Sequence, residues 1–269
     1  RTLLCIITCT GHMIGKLIAG GCSFTLGNEL SDDVDGKTPS KKSWAYRLSE
    51  HANKEYVCTA FGGLGNPAIA RRVFNTVANT QDVDCVAVMW SFPSRYDWAM
   101  PRHKTLEDQR WASISPWDAD ANQEDRMSVL ADSDSQKEWW IDRNNQLEST
   151  GVKPFANAIY QYAANEYHEI YLSWKSIVWL QNILEKKKIP FIFTLADNSL
   201  FYNELEQHKD QDKLMSALYS EIDFTKWYTF GSRMMGFNQW SLLEEYPRGV
   251  THPLDKAHQD AVELLLPTF

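Results

Sequence analysis

The sequence has no stretch of about 20 apolar residues, the length that a bilayer-spanning helix needs. The early run Leu3-Leu4-Cys5-Ile6-Ile7 is too short and precedes no small-residue cleavage site, so neither an anchor nor an export signal is expected. Cysteine is sparse. Five residues, Cys5, Cys9, Cys22, Cys58 and Cys85, form no CxxC pair, and an odd count in 269 residues is no disulfide framework, which points to a reducing compartment. Cys58 and Cys85 lie in apolar runs and are expected to act as small buried hydrophobes. His and Cys are nowhere clustered at zinc spacing, so no metal is expected. Asp118-Ala119-Asp120-Ala121-Asn122 starts like a calcium loop, but Gln123 replaces the sixth-position glycine and Val129 the twelfth-position glutamate, leaving a solvated acidic loop. The loop Gly62–Gly65 lacks the Lys-Ser/Thr of a phosphate loop and the GxGxxG pattern, which excludes a nucleotide cofactor. Positive charge is also short: 27 Lys and Arg against 35 Asp and Glu give a net charge of −8, so nucleic acid is not an expected partner. Internal repeats and Gly/Ser-rich or Pro-rich linkers are absent as well.

What remains is a globular composition, 43% hydrophobic and 23% charged, unusually rich in rings: 11 Trp, 11 Tyr and 12 Phe. Residues 1–12 read as a cloning or upstream-translation extension, with Met13 as the natural start; residues 13–269 read as one domain. Lys16 to Gly20 is a short apolar run ending in glycines and reads as a buried strand. Tyr56 to Ala60, Val83 to Trp90 and Ile189 to Leu195 read the same way, and Asp223 to Phe230 is a weaker fifth strand. Helical spacing runs over Ser43 to Asn53, Asn66 to Asn79 (Asn66 as cap, Pro67 first in the helix), Phe155 to Lys188, and Leu254 to Leu266. Alternating strands and helices with nearly unbroken apolar strands imply an α/β fold, a flavodoxin-like three-layer sandwich around a parallel sheet. Residues 96–150 show no strand pattern and read as a Trp-rich insertion over the sheet edge.

In such a sheet, ligands bind beyond the carboxyl ends of the strands. The first strand exits through Gly20-Gly21-Cys22-Ser23-Phe24-Thr25, the second through Gly62-Gly63-Leu64-Gly65-Asn66, the third through Ser91-Phe92-Pro93-Ser94-Arg95, and Thr251-His252-Pro253 precedes the last helix. With these blocks the sequence resembles the SGNH/GDSL hydrolase family, in particular phage-type members with GCSFT in place of GDSFT. The resemblance implies Ser23 as nucleophile, His252 as general base, and an oxyanion site from the backbone N–H groups of Ser23 and Gly63, with Gly65 as the alternative glycine. Where the family has an asparagine donor this chain has Ser91, and three residues before His252, where the family has an aspartate, it has Gly249. A backbone carbonyl, Glu244, Glu245 or Asp197 is left to orient the imidazole.

The resemblance implies a serine esterase or deacetylase acting on small acyl esters, O-acetylated glycans among them, without cofactor or metal, in a host cytoplasm or virion. The missing aspartate and asparagine motivate the alternative of a non-catalytic carbohydrate-binding or virion-structural protein. Arg95 is placed to meet a substrate carboxylate or to pair with Asp97. Trp98, Trp111 and Trp117 are expected to line the pocket as stacking surfaces, while Trp44, Trp174 and Trp179 fall at core spacing and His258 on a helix surface.

Overall fold

A computed structural model of the chain describes residues 14–100, 110–119, 134–202 and 212–268. The chain enters with β1 (Lys16–Gly20), passes through the single helical turn α1 (Ser23–Leu26), and continues with α2 (Trp44–His51), β2 (Glu55–Cys58), α3 (Asn66–Asn79) and β3 (Val83–Trp90). Next come β4 (Tyr96–Ala99), β5 (Trp111–Ile114), α4 (Asp134–Thr150), α5 (Val152–Ala158), α6 (Glu166–Lys187), β6 (Phe191–Leu195), α7 (Lys213–Ser220), α8 (Phe237–Leu243) and α9 (Asp255–Leu265). Four strands pair in parallel in the order β2-β1-β3-β6, with Ile18 opposite both Val57 and Val86, and Val88 opposite Phe193. Helices α3 and α6 pack together on one face, and α2 and α9 on the other. The central strands β1 and β3 are therefore covered on both sides, which is why they read as unbroken apolar runs. No helix among the described residues is long and apolar enough to cross a membrane.

Aromatic side chains fill much of the core. Trp44, Trp90 and Trp174 are fully buried, and the Trp174 indole donates to the Leu200 carbonyl at 3.0 Å. Trp179 is not a core residue: it stands 42% exposed beside Phe74. Cys85 is buried and Cys58 half-buried, and burial pushes both thiols up, Cys85 to about 11.

The structure also corrects the sequence reading of several elements. Asn66 does not cap α3; Gly65 does, because the Asn66 amide is engaged by Ser91 and Ser173. The stretch Phe155 to Lys188 is not one helix. A π turn (Ile159–Ala163) ends its first part, and Asn165 caps α6 by accepting the His168 amide, so periodicity continues across a real break. Asp223 to Phe230 forms no strand: Asp223 caps a short turn over Phe224–Lys226, and only Trp227 bridges to Phe193. The described residues of the 96–150 segment form the antiparallel β4–β5 pair and the long α4, around a second apolar cluster of Tyr96, Ile114, Trp140, Leu147 and Ala156. His258 is buried, not on a surface, and its Nδ1 accepts the Trp44 amide at 3.0 Å. Residues 1–12, with Cys5 and Cys9, and the Asp120–Val129 part of the calcium-like loop lie outside the described residues. Asp118 itself is buried and pairs with Arg143 at 3.1 Å, a packing role.

Candidate active site

Strand β1 delivers Ser23 to the top of the sheet. Cys22, extended and fully buried, precedes the helical turn, and Ser23 opens it half-buried, with Gly27 closing the turn in the left-handed region at φ 89°. His252 comes from the turn between α8 and α9. That turn is tied by Gly249 N–H to the His252 carbonyl (2.9 Å) and by the Arg248 guanidinium, which donates to the Thr251 carbonyl, Asn238 Oδ1 and Ser241 Oγ. The Phe24 ring meets the imidazole edge-on, with centroids 4.7 Å apart.

Although 229 positions separate them in sequence, Ser23 Oγ lies 2.8 Å from His252 Nε2. Behind the ring, His252 Nδ1 lies 2.9 Å from Glu29 Oε2 and 2.7 Å from the Thr251 hydroxyl, and the His252 and Glu29 side chains are only 7% and 5% exposed. Glu29 also accepts the backbone N–H groups of Val250 (3.0 Å), Thr251 (3.0 Å) and His252 (2.8 Å), with the Thr251 hydroxyl 3.2 Å away. Burial alone would raise this carboxyl, but the hydrogen bond and charge of His252, with the Thr251 and His252 amides, hold it below the ordinary glutamate value. Glu29 stands at φ 67°, a conformation rare for a side chain of this size, and its own N–H donates to Asp33 Oδ2 at 2.7 Å.

Glu29 is the site residue that the sequence reading missed; Glu244, Glu245, Asp197 and a backbone carbonyl do not hold the ring nitrogen. Gly249 explains the exchange. A Cβ there would fall 3.0 Å from the Glu29 carboxyl carbon, so the position expected to carry the acid is empty because a longer acid reaches in from the loop after Ser23. The one usable signal in the sequence is a glycine where an acid is expected, with an acid six residues beyond the serine.

A cavity of about 420 Å³ opens over this line, bordered by Ser23, Gly63, Phe92, Arg95, Trp117 and His252 among others. Gly62 and Gly63 form part of its wall, and Gly63 sits at φ 78°, where a side chain would be strained. Ser91 does not reach the cavity wall. It is fully buried, its backbone is held on both sides by the Asn66 amide, and its hydroxyl accepts from Arg95 Nη1 at 2.9 Å. Gly65 lies against the Arg95 backbone, where an added Cβ would be 2.5 Å from the carbonyl oxygen. Of the three tryptophans expected at the pocket, only Trp117 borders it, 42% exposed. Trp98 packs on Phe155 and Trp111 lies under the Arg71 guanidinium, 4.3 Å away, both off the cavity wall. Asp97 is not the partner of Arg95, since Arg71 grips it with two hydrogen bonds, 2.8 and 3.2 Å.

No family model and no curated protein sequence matches the chain. Solved structures do resemble it in three dimensions. A G-D-S-L family protein from Desulfitobacterium hafniense shares 10% identity over 94% of this chain and 99% of its own, with a TM-score of 0.46. A member of the lipolytic protein G-D-S-L family from Veillonella parvula shares 12% over 94% and 97%, at 0.43. An acetyl xylan esterase shares 12% over 94% and 98%, also at 0.43. With so few shared residues, the chemistry has to be read from this chain's own side chains.

Proposed function

We propose that the chain is a serine ester hydrolase working through an acyl-enzyme on Ser23. The observation that carries this reading is the continuous line Ser23 Oγ, His252 Nε2, His252 Nδ1, Glu29 Oε2, with steps of 2.8 and 2.9 Å. A serine hydroxyl is a weak nucleophile at neutral pH unless a base takes its proton, and the base needs an acid behind it to fix the tautomer. With the Nδ1 proton directed at Glu29, Nε2 is left to accept the hydroxyl proton. Ser23 Oγ attacks the ester carbonyl, His252 takes its proton and returns it to the departing alcohol, and water then repeats the sequence to release the acid and restore Ser23. The negative oxygen of each tetrahedral intermediate is assigned to the backbone N–H groups of Ser23 and Gly63.

The finer reading is a small acyl ester, an acetyl group on a glycan among them, with the exposed face of Trp117 at the cavity mouth available to stack on a sugar ring. The non-catalytic alternative rested on Gly249 and Ser91; Glu29 behind the imidazole speaks against the first motive, while the second stands, since Ser91 is not in the cavity lining. Purified protein is expected to hydrolyse p-nitrophenyl acetate above background, and Ser23→Ala to abolish this. Equal rates for the two proteins would exclude the proposal.

A further inference from the structure

The cavity carries an unbalanced charge. Among the described residues its wall includes Arg95 and His252 but no aspartate or glutamate, and its other polar members, Ser23, Asn28, Ser94, Ser115, Asn238 and Thr251, are neutral. Arg95 is half-buried, and among the described residues its contacts are with uncharged groups: Nη1 donates to the Leu64 carbonyl (3.1 Å) and the Ser91 hydroxyl (2.9 Å), and the guanidinium lies 4.8 Å from the Phe92 ring centroid. The nearest acid in sequence, Asp97, belongs to Arg71. A guanidinium has five N–H donors in a rigid fork, and the Nη1 contacts use at most two. They fix the plane of the group and leave the Nε and Nη2 donors for a ligand. A cation held partly out of water without a counter-charge is unfavourable, and bracing two neutral oxygens does not require one. The fork shape matches a carboxylate in particular.

We infer that the ester taken by this site carries a carboxylate and that Arg95 is its specificity-determining partner. The inference rests on the serine-hydrolase reading for the word ester, but the anion site itself is tested apart from turnover. The carboxylate sits either on the alcohol or on the acyl part, and matched pairs of esters separate the two. For the alcohol side, 4-acetoxybenzoate is compared with 4-acetoxybenzamide; for the acyl side, mono-4-nitrophenyl adipate is compared with its adipamate. In one of the pairs wild type is expected to prefer the carboxylate by about tenfold or more in kcat/KM, mainly through KM, with the preference shrinking as salt is raised. Arg95→Gln is expected to bring that ratio close to one, and Arg95→Lys, which keeps the charge but loses the fork, to fall between.

Because Arg95 also braces Leu64 and Ser91, circular dichroism melts establish that each variant is folded before the ratios are compared. Calorimetry on Ser23→Ala protein, with 4-hydroxybenzoate against 4-hydroxybenzamide and adipate against adipamide, gives the same comparison without chemistry. Equal binding within each pair, or a carboxylate preference that survives Arg95→Gln, overturns the inference. A carboxylate preference in binding without hydrolysis of any ester would keep the anion site and refute the esterase reading alone.

Discussion

Glu29 and Gly249 occupy one volume between them. The carboxylate of the first fills the space that a side chain on the second would need, and it organises the His252 turn by accepting three consecutive amides as well as the imidazole. Glu29→Ala is therefore expected to lower kcat by about a thousandfold to ten-thousandfold, the scale seen when the orienting acid of a triad is lost. Gly249→Asp alone is expected to lower activity, because its Cβ would stand 3.0 Å from the Glu29 carboxyl and push it from the imidazole. In the double variant Glu29→Ala, Gly249→Asp the contact with the carboxylate is gone, leaving only the 3.2 Å approach to the Cβ of residue 29, and an acid is offered near the ring again, so part of kcat should return. A double variant no faster than Glu29→Ala in steady-state assays would show that the two positions do not exchange the role. The lowered Glu29 carboxyl sets the direction with pH: its contribution to stability is complete above the ordinary glutamate range and is lost as pH falls through its depressed folded value.

Glu29 depends on the loop between α1 and α2, and that loop is latched to the start of α9. Asp255 accepts the Ser31 amide (3.0 Å) and hydroxyl (2.5 Å) and pairs with Lys42 (3.0 Å). Burial works to raise the Asp255 carboxyl, but the Ser31 hydrogen bonds and the Lys42 charge hold it at about 2, below its ordinary 3.8. The latch is therefore complete above that ordinary value and opens as pH falls toward 2. Asp255→Ala is expected to lower kcat several-fold with little change in KM, and to raise amide exchange across residues 28–36; unchanged exchange there would exclude the latch. Element by element, the parallel strands were legible because both of their faces are buried, and β1 and β3 have the bounds that their apolar runs suggest. Ser23 and His252, the proposed nucleophile and base, were legible because each stands in a short block at a chain exit. Glu29 was not, since nothing local marks it and its partner lies 223 residues away. The β4–β5 pair was missed because each strand is only four residues long and half of its side chains face solvent or the second cluster, which blurs the alternation.

At the scale of the whole molecule, the two layers flanking the sheet meet the site from opposite sides, and His258 ties one of them together. Its ring, buried in α9, accepts the first amide of α2 and packs edge-on against Phe237. Burial, with the neighbouring His252 charge, holds this imidazole down to about 3, against an ordinary 6.5. The unfolded chain takes up that proton near the ordinary value and the folded chain does not, so stability is intact above it and declines as pH falls toward 3. The melting temperature should fall across that window, and His258→Gln should flatten the slope; parallel slopes for both proteins would contradict the assignment. The aromatic excess resolves the same way, into a core built on Trp44, Trp90 and Trp174, with Trp98 and Trp179 exposed away from the cavity and Trp117 exposed at its mouth. All of this converges on the reactivity of one hydroxyl, which a fluorophosphonate probe reads directly. Wild-type protein should gain a single adduct that mass spectrometry maps to Ser23, slowed strongly by Glu29→Ala and absent from Ser23→Ala; an unlabelled wild type, or an adduct that persists in Ser23→Ala, would contradict the account.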